Sequence, residues 1–159
     1  MTRIDFYILP ESSAGEGADN GTVMAACKLC DKAVSAGMMI YVRTGNGARA
    51  TDIDGALWSF RQNSFIAHER YSGQPLEAPL PPVLIGAQEP PDSHHGVLIN
   101  LDADIPDFFS RFDRVLEIVG GSADQRKASR ERFKFYRDRG YELNTFEQTD
   151  TGGWSQRAK

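Results

Sequence analysis

IDFYILPESSAGEGADNGTVMAACKLCDKAVSAGMMIYV, residues 4–42, decides the fold class. Residues 4–9 are a compact run of bulky side chains stopped by Pro10, which reads as a buried strand. Residues 11–21, rich in Gly and Ser, read as a loop. From 22 to 36, Val23, Ala26, Cys27, Cys30, Ala33 and Val34 recur at helical spacing, and Gly37 is a natural stop. Residues 38–42 read as a second strand. Strand, helix and strand within about 40 residues form a parallel crossover unit.

The rest of the chain extends that unit. Residues 50–60 predict a helix with Ile53, Ala56, Leu57 and Phe60 on one stripe. Trp58 lies roughly opposite that stripe, so it is either packed under a loop or presented to a partner. Residues 64–68 read as a short extended piece, 69–82 as a Gly/Pro-bearing loop, 83–86 as a strand, 87–95 as a loop and 97–101 as the cleanest buried strand. Pro106 suits the first turn of a helix, with Phe108, Phe109 and Phe112 as its core anchors. Residues 115–119 read as a strand, Gly120 and Gly121 as a turn, and 141–143 as a short edge strand. The polar segment beyond Phe146 is predicted to fray, which leaves Trp154 without a role. The expectation is an α/β protein, with a mainly parallel sheet and helices on both faces. It is Rossmann-like in layering but lacks a phosphate-binding loop. Residues 1–146 form one domain and 147–159 a flexible tail. Such a fold does not by itself fix a function.

Composition narrows the function classes. The 159 residues, 40% hydrophobic and 25% charged, suit one globular domain able to bury a core. The longest apolar runs fall far short of a membrane span, and the first residues, MTRIDFY, have no apolar signal core; a cytoplasmic protein is expected. Cys27 and Cys30 form a C-x-x-C pair, but it lies a turn or more into a helix, where a redox pair would open one. A zinc site would need further ligands, and His94 and His95 are distant. Buried structural cysteines are the expectation, with no metal site. Gly15, Gly17 and Gly21, and the Gly45/Gly47 pair, lack the third glycine or the Gly-Lys-Ser/Thr that completes a phosphate cradle. No nucleophile, base and orienting group come together by motif, so no catalytic residue and no cofactor are assigned.

Residues 122–143, SADQRKASRERFKFYRDRGYEL, stand apart electrically. Ser122 followed by Gln125 is a capping-box start, and Gly140 marks a left-handed stop. Between them seven basic residues face three acidic ones, a surplus of +4 on a chain whose net charge is −4. The remainder is therefore −8, a poor balance for a general nucleic-acid binder. At about 100° per residue, Arg126, Arg130, Lys134 and Arg137 fall within about a quarter of the helix circumference. Phe133 lies at the edge of that face, while Ala128, Phe135 and Tyr136 point inward. Cations beside an aromatic ring suit a ligand that is both acidic and apolar; the alternative is a solvated helix face.

Four pieces, in order, resemble one family. SRERFKFYRDRGYEL is similar to the C-terminal signature of the chi subunit of bacterial DNA polymerase III, a clamp-loader accessory. LWSFRQNSFIAH, residues 57–68, is similar to that family's Leu-Trp, Ser-Phe and Pro-His pattern, with Ala67 in place of the proline before His68. IDFYIL and VLINLDADIPDFFSRFDRVLEIV complete the match, which spans about residues 3–145. The resemblance implies a non-enzymatic adapter of DNA replication. It implies two partners: the psi subunit, and the acidic, Pro-Phe-ending C-terminal tail of single-stranded DNA-binding protein (SSB). Arg126, Arg130, Phe133, Lys134 and Arg137 are then the tail-binding candidates, and Trp58 with Phe65 the partner-subunit surface. DNA would be met only indirectly and membrane not at all. Two other readings remain: a Rossmann-like nucleotide-using enzyme, and a direct single-stranded nucleic-acid binder acting through the basic helix.

Overall fold

The computed structural model describes residues 1–10, 18–59, 66–149, 151 and 153–157. Its centre is a sheet of eight strands in the order β3-β4-β2-β5-β6-β1-β7-β8. These are β1 Arg3–Ile8, β2 Ile40–Arg43, β3 His68–Arg70, β4 Val83–Gly86, β5 Val97–Asn100, β6 Arg114–Val119, β7 Glu142–Gln148 and β8 Trp154–Gln156. All neighbours are parallel except β7 and β8. Among the described residues three α-helices accompany them: α1 Ala18–Ser35, α2 Gly47–Ser59 and α3 Ala123–Asp138.

The period-2 alternation of the strands sorts the core into two layers. Tyr7, Val42, Ile85, Ile99, Leu116 and Ile118 face α1 and α2, meeting Val23, Cys27, Cys30, Ile53 and Leu57. Ile4, Phe6, Tyr41, Leu84, Leu98 and Val115 face the other way, toward Tyr136 of α3 and toward Phe109 and Phe112, which precede β6. Helices therefore cover both faces, as the alternation of strands and helices in the sequence requires.

Several boundaries differ from the sequence reading. Helix α1 begins at Ala18, so Gly21, expected in the loop, is helical. Helix α2 begins at Gly47, because the Asn46 side chain accepts the Arg49 N–H at 3.0 Å and caps it. The helix expected after Pro106 is only a 3-10 turn, Phe109–Arg111. Its i to i+3 bonding, Phe109 N–H to the Pro106 carbonyl at 3.1 Å, sets Phe109 and Phe112 on one side, where both are buried. Strand β7 is not a short edge strand: it pairs with β1 along Arg3–Ile8 and with β8 beyond. The tail expected to fray from residue 147 instead holds the end of β7 and all of β8. Trp154 meets the Tyr7 ring edge-on at 5.0 Å, and Phe146 stacks on the same ring at 4.9 Å. Burial of these rings outweighs the polar composition around them.

Candidate functional site

Helix α3 is fixed at both ends by its own sequence. Ser122 Oγ accepts the Gln125 N–H at 3.1 Å, and Gln125 Oε1 accepts the Ser122 N–H at 3.2 Å, completing the capping box. At the other end Gly140 has φ +79°. Its N–H reaches the Arg137 carbonyl at 3.0 Å and the Tyr141 N–H reaches that of Tyr136 at 3.2 Å, the paired closure that a left-handed glycine permits.

Rotation about the helix axis is set from beneath. Glu117 stands mid-strand in β6 with no exposure, and its carboxylate gathers three donors. Arg132 Nε lies at 3.0 Å, Asn100 Nδ2 at 3.0 Å and the Tyr136 hydroxyl at 2.7 Å. Arg132 also donates to the Ala103 carbonyl at 3.0 Å. Burial pushes the Glu117 carboxyl above its ordinary range, while Arg132, Tyr136 and Asn100 pull it back. The hydroxyl of Tyr136 is pushed up by burial and by the Glu117 charge beside it. Arg132, one of the seven cations counted on the helix, is thus an internal residue.

With Arg132 and Tyr136 turned inward and Arg139 over the Phe135 ring, Arg126, Arg130, Lys134 and Arg137 run along one flank. Helix α3 packs over β6 and β7, with Phe133 and Tyr136 against Phe6 of β1 between them, and β8 lies beyond β7. The step between helix and sheet is a cleft of about 810 Å³. Phe6 and Ile8 of β1, Val119 of β6 and Leu143 and Thr145 of β7 give it an apolar floor. All five tail-binding candidates line it: Arg126, Arg130, Phe133, Lys134 and Arg137. Phe133 is half-buried and meets Phe6 edge-on at 5.4 Å. Arg130 and Lys134 are exposed. Arg126 is held closer, donating Nη2 to the Leu9 carbonyl at 2.9 Å. Arg137 lies 3.5 Å from the exposed Asp138. The sequence reading missed the floor and Arg157, which follows β8 and also lines the cleft. The alternation of Leu143 and Thr145 was the available signal for the floor.

Trp58 is 59% exposed on α2. Its ring meets that of His68 edge-on at 5.1 Å. His68 joins α2 to β3, with Nε2 at 2.7 Å from Asp54 Oδ1 and Nδ1 at 2.7 Å from the Ile66 carbonyl. Phe65, the expected companion of Trp58, lies outside the described residues.

Other motifs are absorbed by structure. Cys27 and Cys30 are fully buried, and burial pushes the Cys27 thiol up to about 12. His94 is buried, with Nε2 at 2.7 Å from the Pro81 carbonyl and Nδ1 at 2.7 Å from Ser93 Oγ; burial lowers its pKa. The Gly45 N–H, at the approach to α2, meets the Asp102 carboxylate at 2.8 and 3.1 Å. An internal carboxylate therefore takes up the donor a phosphate would use there. Among the described residues no His, Cys, Asp and Glu cluster could hold a metal ion, and no helix is long and apolar enough to cross a membrane.

Fold and cleft together define an open, mainly parallel α/β protein with a cationic, aromatic-walled groove beside its last helix. The chain belongs to the family of DNA polymerase III chi subunits, HolC, whose model matches residues 1–144, a family of DNA replication subunits. It is 39% identical over 143 residues to DNA polymerase III subunit chi of Pseudomonas aeruginosa, covering 90% of this chain and 94% of that one. The subunits of the same name from Haemophilus influenzae and Escherichia coli are 29% identical over 140 residues and 26% over 145. Those matches cover 88% and 91% of this chain, and 93% and 97% of the relatives. The crystal structure of T4 UvsW shares the fold, with TM-score 0.64, 10% identity, 92% of this chain covered and 41% of the other. At that identity the likeness concerns the fold alone.

Proposed function

We propose that this chain is a non-catalytic adapter of the cytoplasmic replication machinery. Its cleft takes the acidic, Pro-Phe-ending C-terminal tail of SSB. Its Trp58 surface docks on the clamp loader through psi or an equivalent subunit. The observation that carries the first half is the gathering of Arg126, Arg130, Phe133, Lys134 and Arg137 around one apolar-floored space of about 810 Å³, a size suited to a few side chains. A terminal Phe ring finds Phe133 and Phe6, its α-carboxylate finds Arg130, and upstream carboxylates find the flanking cations. The nucleotide reading is disfavoured by Asp102 against the Gly45 N–H. The direct DNA reading is disfavoured by the −8 balance of the chain outside residues 122–140.

Calorimetric titration tests this reading with four probes: an acidic peptide ending in Pro-Phe, the same peptide amidated, single-stranded DNA and ATP. The free-acid peptide should bind at least about tenfold tighter than the amide, the scale of one charge-assisted contact. DNA and ATP should bind weakly or not at all. Equal affinity for free and amidated peptide would remove the cleft from the proposal.

The Trp58 surface has its own expected result. Because the ring is 59% exposed, Trp58→Ala should leave the melting temperature nearly unchanged. Binding to the partner subunit should weaken by about 2 kcal/mol, as for a central interface aromatic. A loss of many degrees in the melt, with partner affinity kept, would make Trp58 a packing residue instead.

A further inference from the structure

We propose that β8 and Arg157, paired with the end of β7, are the second wall of the cleft and that Arg157 reads the acidic segment of the ligand upstream of its terminus. The inference rests on the peptide-binding reading above and adds a residue beyond the span, 1–144, that the family model matches. Register places it. Phe146 pairs with Gln156 in the antiparallel ladder, so one step on Arg157 stands opposite Thr145, and its N–H reaches the Thr145 carbonyl at 2.7 Å. Paired residues share a face, so Arg157 joins Leu143 and Thr145 on the cleft side. Trp154 holds β8 from the other face, against Tyr7.

The local charges set what Arg157 can do. Its guanidinium donates Nη2 to Glu147, in a pair with side chains 54% and 50% exposed. An exposed pair of this kind is weak, and the remaining donors of the planar fork stay available to a carboxylate. Glu142 also borders the cleft, but its carboxylate lies 3.6 Å from Arg3 Nε and accepts from Asn144 at 3.3 Å. Arg157 and the cations of α3 line the same cleft. A peptide whose last residue sits at Arg130 would pass its preceding carboxylates between two cationic walls. A peptide ending in Pro-Phe without acidic residues would not reach the second wall.

The test titrates full-length wild type, Arg157→Ala, Arg157→Lys and Arg130→Ala with two peptides at near-physiological salt. One carries several acidic residues before Pro-Phe; the other replaces them with serine. Arg157→Ala should weaken the acidic peptide by about threefold to fivefold, the scale of an exposed ion pair, and leave the serine peptide unchanged. Arg157→Lys should restore most of the loss, and Arg130→Ala should weaken both peptides. If Arg157→Ala binds the acidic peptide like wild type while Arg130→Ala does not, β8 and Arg157 are no part of the site and the function proposed above stands. If wild type binds neither peptide, both proposals fall.

Discussion

Arg132→Ala should lower the unfolding free energy by about 3 to 5 kcal/mol, the cost of leaving one partner of a buried ion pair alone. Glu117 has no exposure and Arg132 only 6%. The carboxylate would keep Asn100 and Tyr136 as donors but lose the charged one. Urea unfolding followed at constant m gives the number. The double variant Glu117→Gln/Arg132→Met should recover much of the loss, because the isolated charge is gone and the amide oxygen can still accept from Tyr136. A coupling energy near zero in the cycle of Glu117→Gln, Arg132→Met and their double variant would show that the two residues do not act as a pair. The pH dependence has a defined sign. A glutamate whose folded pKa lies above the ordinary 4.5 binds its proton more readily when folded. Its contribution is present below 4.5 and lost as pH rises through the folded value. Without Arg132 that folded value rises further, so the deficit of Arg132→Ala should shrink as pH falls toward 4.5. A deficit independent of pH would remove Glu117 from the explanation.

Much of this architecture is legible in the sequence where a local signal and the tertiary requirement agree. Apolar runs stopped by Pro, Gly or Asp gave the central strands, since a parallel sheet is buried on both faces. Ser122, Gln125 and Gly140 fixed both ends of α3, because caps depend on groups within a few residues. The failures lie where the deciding partner is distant in sequence. Arg132 looks like any other cation of α3 until Glu117 is placed beneath it; the signal was a lone carboxylate inside RVLEIV, residues 114–119, which a buried strand cannot leave unpaired. Strand β8 was hidden by its polar neighbours, although residues 149–153, TDTGG, are turn chemistry between two segments that each carry an aromatic. The cleft itself was half visible. Helical periodicity grouped five of its six α3 residues, but its floor comes from three strands that meet only in the sheet.

Arg130→Ala should weaken binding of the SSB tail peptide by about tenfold to a hundredfold, the equivalent of a charge-assisted hydrogen bond of roughly 1.5 to 3 kcal/mol. Among the cleft cations Arg130 is the mid-helix one, exposed toward the floor beside Phe133. Arg126 is already engaged with the Leu9 carbonyl, and Arg137 stands beside Asp138. Losing either should therefore cost less than losing Arg130 and act chiefly on encounter and on salt dependence. A planar guanidinium can meet both oxygens of the ligand's terminal carboxylate, and an ammonium cannot. Arg130→Lys should accordingly recover only part of the affinity. Stability should hardly change, since the side chain is exposed and its removal opens no cavity. The sensitive comparison is a cycle of wild type and Arg130→Ala against the free-acid and amidated peptides. If Arg130 holds the terminal carboxylate, amidation should weaken wild type strongly and the variant barely. If amidation weakens both proteins by the same factor, the terminal carboxylate sits elsewhere, and Arg130 contributes only to the general positive field of the cleft.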